Sequence, residues 1–196
     1  ILNPNSNASS NIGSGNNTNW NYNDEVAFPF GYGLSYTNFE FSNLKVEHID
    51  GDFLGTYKVS IDVKNIGNVK GKTPIQVYLQ KPYTEYDIEN GIEKASVELV
   101  GFEKTDLLEP GENKTYEISI KGSDFKTFDT YNKKTYILEK GNYYLSIGED
   151  SHAALNNILA NKGKNKDNGM VDSRGKSTDG NNKLSYKITI NEDDYE

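Results

Sequence analysis

An all-β sandwich of about seven short strands is what this sequence predicts, on three observations. From Phe39 to Gly148 apolar residues recur at every second position in short runs, the period of strands that bury one face. Turn formers separate the runs: Asn65-Ile66-Gly67-Asn68, Glu109-Pro110-Gly111-Glu112 and Gly122-Ser123-Asp124. The patterned stretch is about 110 residues long, the size of one two-sheet domain.

Phe39, Phe41, Leu44 and Val46 predict a first strand with an interruption. Tyr57, Val59, Ile61 and Val63 give a second, and Ile75, Val77 and Leu79 a third, closed by Pro82. Pro74 cannot donate to a ladder, so the start of this strand belongs at an edge or bulge. Tyr83 to Ala95 is acidic and aromatic, too long for a tight hairpin, and reads as an inserted loop. Val97 to Leu108 predicts a strand or hairpin with a bulge near Gly101. Tyr116, Ile118 and Ile120 alternate again. After the turn come Phe125 and Phe128, then Tyr136 and Leu138, and Tyr143, Leu145 and Ile147 complete an immunoglobulin- or fibronectin-like set.

Beyond the sandwich, Ser151 is placed to cap a helix to Ala160 on which Leu155, Ile158 and Leu159 share a face. Gly163 to Asn182 is polar and expected to be mobile, and Leu184, Tyr186, Ile188 and Ile190 predict one more strand returning to the sheet. Residues 1–28 are a polar linker, with nine Asn before Glu25 and few apolar side chains apart from Ile12, Trp20 and Tyr22. A start at Ile1 rather than methionine leads us to expect a piece of a longer polypeptide. The organisation is therefore linker 1–28, hinge 29–38, sandwich 39–150 and C-terminal extension 151–196.

The hinge, Pro29 to Phe39, draws six of its eleven residues from Phe, Tyr, Leu and Pro, with Gly31 and Gly33 between them. The glycines let the backbone turn sharply while rings project to both sides, a design for being pinned between surfaces.

A net charge of −8 and a pI near 4.9 argue against nucleic acid and anionic membranes as partners, because both require clustered Lys and Arg. There is no cysteine for a disulfide or thiolate site, and no apolar run of the ~18 residues a span needs; the chain reads as soluble. His48 and His152 lack companion ligands and are assigned surface or capping roles. Asp50-Gly51-Asp52 and Asp167 to Asp172 lack calcium-loop spacing and read as turns. Gly31-Tyr32-Gly33 has no third glycine and no strand-turn-helix setting, so it is not a dinucleotide loop. We therefore expect no cofactor and no metal.

Five segments taken together resemble a known family. The Pro29–Phe39 string, Asn65-Ile66-Gly67 with Gly71, Ile75-Gln76-Val77-Tyr78-Leu79, Val97 to Lys104 with Leu108 to Glu112, and Gly141-Asn142-Tyr143 with Ile147-Gly148 are similar, in order, to the fibronectin type III-like domain of glycoside hydrolase family 3 enzymes. The resemblance implies a non-catalytic structural domain of a β-glucosidase-like enzyme, with the nucleophilic aspartate and acid/base glutamate on other domains. Residues 1–28 would then end the preceding catalytic segment. Ser123-Asp124-Phe125 superficially resembles the nucleophile's setting but falls where this domain has a turn, and Asp124 is assigned to bond local amides. No catalytic residue is expected here.

On that reading Phe28, Phe30, Tyr32, Leu34 and Tyr36 form the interface with the catalytic domains, the expected intramolecular partner. A second reading is a carbohydrate-binding module in which Trp20, Tyr22, Tyr83 and Tyr86 contact an oligosaccharide or polysaccharide. The interface is preferred because these rings and Tyr131 are scattered over loops instead of lined along one strand. A third reading is an extracellular adhesive repeat.

Overall fold

The computed structural model describes residues 26–195, apart from the side chain of Tyr195. Two antiparallel sheets form the sandwich. In chain order the elements are β1 (Phe39–His48), β2 (Thr56–Asn65), β3 (Pro74–Gln80), α1 (Glu85–Asn90), β4 (Glu98–Lys104), β5 (Asn113–Lys121), β6 (Thr127–Phe128), β7 (Tyr136–Leu138), β8 (Gly141–Gly148), α2 (Ser151–Asn161), β9 (Ser185–Ile190) and β10 (Asp194–Tyr195). One sheet has the order β1-β2-β5, the other β4-β3-β8-β9, and a small third sheet has the order β10-β7-β6.

The alternating residues face each other across the sandwich: Val59, Ile61 and Val63 from β2, Ile75, Val77 and Leu79 from β3, Ile118 and Ile120 from β5, and Leu145 and Ile147 from β8. Phe125 enters this core from the 3-10 turn Gly122–Phe125 and stacks between Tyr57 and Tyr143, with ring centroids 4.9 and 5.5 Å away. The Ser-Asp-Phe string is thus a turn that delivers a core ring. Asp124 is part of that turn, but among the described residues its carboxylate accepts no hydrogen bond, so it does not bond local amides as expected.

The expected interruption of β1 is a register shift between Ser42 and Lys45, where Asn43 takes φ +57°. The bulge near Gly101 lies at Val100, between the pairs Val77↔Gly101 and Tyr78↔Leu99. A Cβ on Gly101 would strike Ile118 and Ile120, so this glycine lets β4 approach β5 closely. Pro74 starts an interior strand, yet the β3/β8 ladder begins only at Gln76↔Gly148, leaving the proline without a bonding neighbour on that side.

The seventh strand of the sandwich is not Tyr136–Leu138, which belongs to the small sheet, but β9, paired from Gly141↔Ile190 to Ser146↔Ser185. The sandwich therefore continues to Ile190, past the expected boundary at 150. The expected loop from Tyr83 to Ala95 contains α1, started by a Thr84/Asp87 capping box and ended by Gly91 in the left-handed conformation.

α2 matches the expected helix except at its cap. Asp150, one residue earlier than Ser151, accepts from Ala153 N at 2.7 Å. Its face carries Leu155 and Leu159 onto Met170, while Asn157 donates to Ile147 O across the outer face of β8. A Cβ on Gly148 would meet the Ala154 backbone, which is how closely α2 crosses the strand. In consequence β3 and β8 are buried on both faces. The segment expected to be mobile is anchored by buried Met170, a Val171↔Ser177 bridge and Asn181 N donating to Asn157 Oδ1.

Candidate docking surface

The hinge crosses the outer face of the β4-β3-β8-β9 sheet and is fastened there through its backbone. Tyr78 and Gln76 project from the outer face of β3. Tyr78 OH donates toward Phe30 O (3.3 Å) and Gln76 Oε1 (2.7 Å), and Gln76 Nε2 donates to Gly31 O (3.1 Å) and Glu149 O (2.8 Å). Ser151 N, at the start of α2, donates to Phe30 O at 2.9 Å. Gly31 has φ +86°, and a Cβ there would collide with both clamping side chains. Burial pushes the Tyr78 phenol well above its ordinary pKa, with Asp150 adding to the effect, so it remains a neutral donor.

The other end of the hinge is held by Asn65. Its Oδ1 accepts from Thr37 Oγ1 (2.8 Å) and Gly67 N (3.0 Å), while its Nδ2 donates to Val69 O and Leu108 O. Ile66 N donates to Asn38 O at 2.8 Å. The Asn-x-Gly motif thus staples Thr37 and Asn38 to the turn after β2.

Between these fastenings the apolar side chains point away from the sandwich. Tyr36 is fully exposed and Leu34 is 86 % exposed, with Phe28 and Phe30 about two-thirds exposed. Tyr32 is half-buried and stacks on Phe28 at 5.1 Å. The five interface candidates therefore lie on one short segment whose backbone is fixed and whose large side chains are mostly uncovered.

The carbohydrate candidates are dispersed. Trp20 and Tyr22 lie outside the described residues. Tyr83 is half-buried before α1, and Tyr86 donates its phenol to Asp129 Oδ2 at 2.6 Å. Burial pushes the Asp129 carboxyl up, but Tyr86 and the amides of Tyr131, Asn132 and Lys133 outweigh it and leave its pKa low. Tyr86 is thus engaged in joining α1 to the β6–β7 hairpin, while Tyr131 nearby is exposed.

His48 is exposed and stacks on Tyr57, whereas His152, for which a surface or capping role was expected, is buried in the first turn of α2 with Nε2 2.7 Å from Val171 O. Burial lowers the His152 pKa. Asp50 and Asp52 accept from Thr56 N and Leu54 N, and Asp172 from Arg174 N and Lys176 N, as turn residues do. Among the described residues no group of three or more His, Cys, Asp or Glu is placed to hold a metal, and no helix is long and apolar enough to cross a membrane.

One buried polar cluster escaped sequence reasoning. Lys94 Nζ reaches Asp87 Oδ2 (2.7 Å), Glu139 Oε2 and Pro82 O (3.0 Å), and Thr84 Oγ1 donates to Glu139 Oε1 at 2.5 Å. Two carboxylates share one ammonium beneath α1. Burial raises the Glu139 pKa, and Lys94 and Thr84 only partly oppose it.

The fold and its fastened hinge define a fibronectin type III-like sandwich, and residues 73–151 match the family model for the fibronectin type III-like domain. The chain is 36 % identical over 127 residues to thermostable β-glucosidase B of Acetivibrio thermocellus, covering 65 % of this chain and 16 % of that protein. It is 38 % identical over 124 residues to a putative β-xylosidase of Formosa agariphila, covering 63 % and 15 %. The solved β-glucosidase 3B of Thermotoga neapolitana, in complex with α-D-glucose, superposes with a TM-score of 0.59 at 30 % identity over 86 % of this chain and 18 % of that one. The chain carries the fibronectin type III-like domain found in family 3 β-glucosidases. It spans about a sixth of the length of these relatives.

Proposed function

We propose that this chain is the non-catalytic fibronectin type III-like part of a longer family 3 β-glycosidase, a β-glucosidase by the weight of its relatives, and that it buttresses the catalytic domains through its hinge. The observation that carries this reading is the contrast within residues 28–36. The backbone is fastened by Tyr78, Gln76 and Ser151, while Phe28, Phe30, Leu34 and Tyr36 are held out uncovered. Each such side chain contributes about 1.5–3 kcal/mol when a partner surface covers it. A fixed backbone means little further ordering entropy opposes docking. Buttressing matters because a misplacement of about 1 Å in an active site can lower rate ~100-fold.

Two assays test this. The longer polypeptide should hydrolyse a chromogenic β-glucoside or β-xyloside while the 196-residue chain alone does not; activity in the chain alone, or in neither, would remove the reading. In the longer polypeptide, Leu34→Ser with Tyr36→Ser should shorten the thermal inactivation half-life at a fixed temperature by roughly tenfold or more, since every 1.4 kcal/mol is a factor of ten. The same pair should leave the unfolding of the isolated chain unchanged, because both side chains are exposed there.

A further inference from the structure

Beside the hinge lies a cavity of about 530 Å³ walled by Tyr32 and Gly33, the start of α2 and the loop that follows it. Its acidic and basic lining is Glu149, Asp150, Asp172 and Arg174, three acids to one base. The positive end of the α2 dipole, about half a charge, does not cancel the excess. Among the described residues none of the three carboxylates has a Lys or Arg within ion-pair distance. Burial and the neighbouring Asp150 raise the Glu149 pKa while Arg174 opposes them, as expected of acids crowded together without enough counter-charge.

Two acceptors at this cavity are incompletely satisfied, and the one on Asn156 is fully buried. Asp150, 4 % exposed, uses one carboxylate oxygen to cap α2 at Ala153 N, and the other has no partner among the described residues. Asn156, 3 % exposed, donates to Val171 O and has no donor at Oδ1. A buried acceptor left without a donor, as Asn156 Oδ1 is, carries an uncompensated desolvation penalty. What the wall lacks is a cationic group carrying several hydrogen-bond donors.

Resting on the docking reading above, we infer that this cavity is a socket for an arginine or lysine side chain presented by the catalytic domain against which the hinge packs. The cavity opens beside Tyr32, itself stacked on Phe28, so a surface that covers the hinge rings also reaches the cavity mouth. A guanidinium or ammonium there supplies donors to Asp150 and balances the charge through charge-assisted hydrogen bonds, which are shorter and stronger than neutral ones.

The test uses near-isosteric changes. Asp150→Asn retains an N-cap, and Asp172→Asn retains the acceptor for Arg174 N and Lys176 N. In the longer polypeptide this pair should shorten the inactivation half-life about tenfold, and Glu149→Lys should shorten it further, while the isolated chain unfolds no more easily with either change. An unchanged half-life, or an equal loss of stability in the isolated chain, overturns the socket. Amide shifts of Ala153 and Ser173 on adding glucose to the isolated chain, abolished by Asp150→Asn, would also overturn it and make the cavity a sugar site. Leu34→Ser with Tyr36→Ser runs alongside: if that pair is silent the docking reading falls, and if it alone acts only the socket is lost.

Discussion

Lys94 stands where a single side chain decides whether a whole segment stays attached. It is shared by Asp87 and Glu139, all three nearly inaccessible, so its loss leaves two buried carboxylates without a cation. Lys94→Met should cost about 3–5 kcal/mol, read by denaturant unfolding, because breaking a buried pair from one side carries the full desolvation penalty. Glu139→Gln should act in the opposite direction. The Glu139 pKa is raised in the fold, so the folded chain holds this proton more tightly than the unfolded chain. Its stabilising effect is complete below about pH 4.3, the unfolded value, and is lost as pH rises through the raised folded value. Relative to wild type, the Gln variant should therefore gain thermal midpoint as pH rises, then level off; a constant difference from pH 4 to 8 would show that Glu139 does not titrate in this way. None of this was legible in sequence. Lys94 and Glu139 are 45 positions apart, and an acidic loop with one lysine looks like a solvated one until the fold closes over it.

At the scale of elements, the hinge owes its position to β3. Alternation in Ile75-Gln76-Val77-Tyr78-Leu79 correctly assigns Ile75, Val77 and Leu79 to the core. It leaves Gln76 and Tyr78 as residues for a solvent face, whereas that face is covered by α2 and the hinge, and both side chains became backbone clamps. Tyr78→Phe removes the donor to Phe30 O and Gln76 Oε1 at little change in shape. It should destabilise the isolated chain by about 1 kcal/mol. It should also accelerate hydrogen exchange at the Tyr32 and Ser151 amides, which bond Pro29 O and Phe30 O, more than at the core amides of β2. Uniform acceleration would mean the clamp is only part of the general stability. The hinge rings recur at every second position from Phe28 to Tyr36, as in a strand, but with Gly31 and Gly33 between them the segment pairs as no strand and most of its side chains stay outside the core.

For the whole molecule, the consequence lies in β9. This strand covers the outer edge of β8 over six residue pairs and brings Ile190 into the core from beyond the matched 73–151 segment. A chain ended at Gly163 would lose that ladder, Ile190 and the Met170 contact with α2, and should fail to give a cooperative thermal transition. A retained sharp transition would show that the sandwich closes without β9. The sequence by itself determined the fold class, nearly every strand, the turns between them and the family, because a period of two and the residues that turns demand are local properties written into neighbouring positions. It also set large apolar side chains along residues 28–36, four of which the fold leaves exposed. Only the tertiary structure decided which strand is the seventh, that β3 and β8 are buried on both faces, that Lys94 lies between two acids, and that Glu149, Asp150 and Asp172 gather beside Tyr32. Those are pairings between positions tens of residues apart, and their energies exist only after the chain has closed the loops between them.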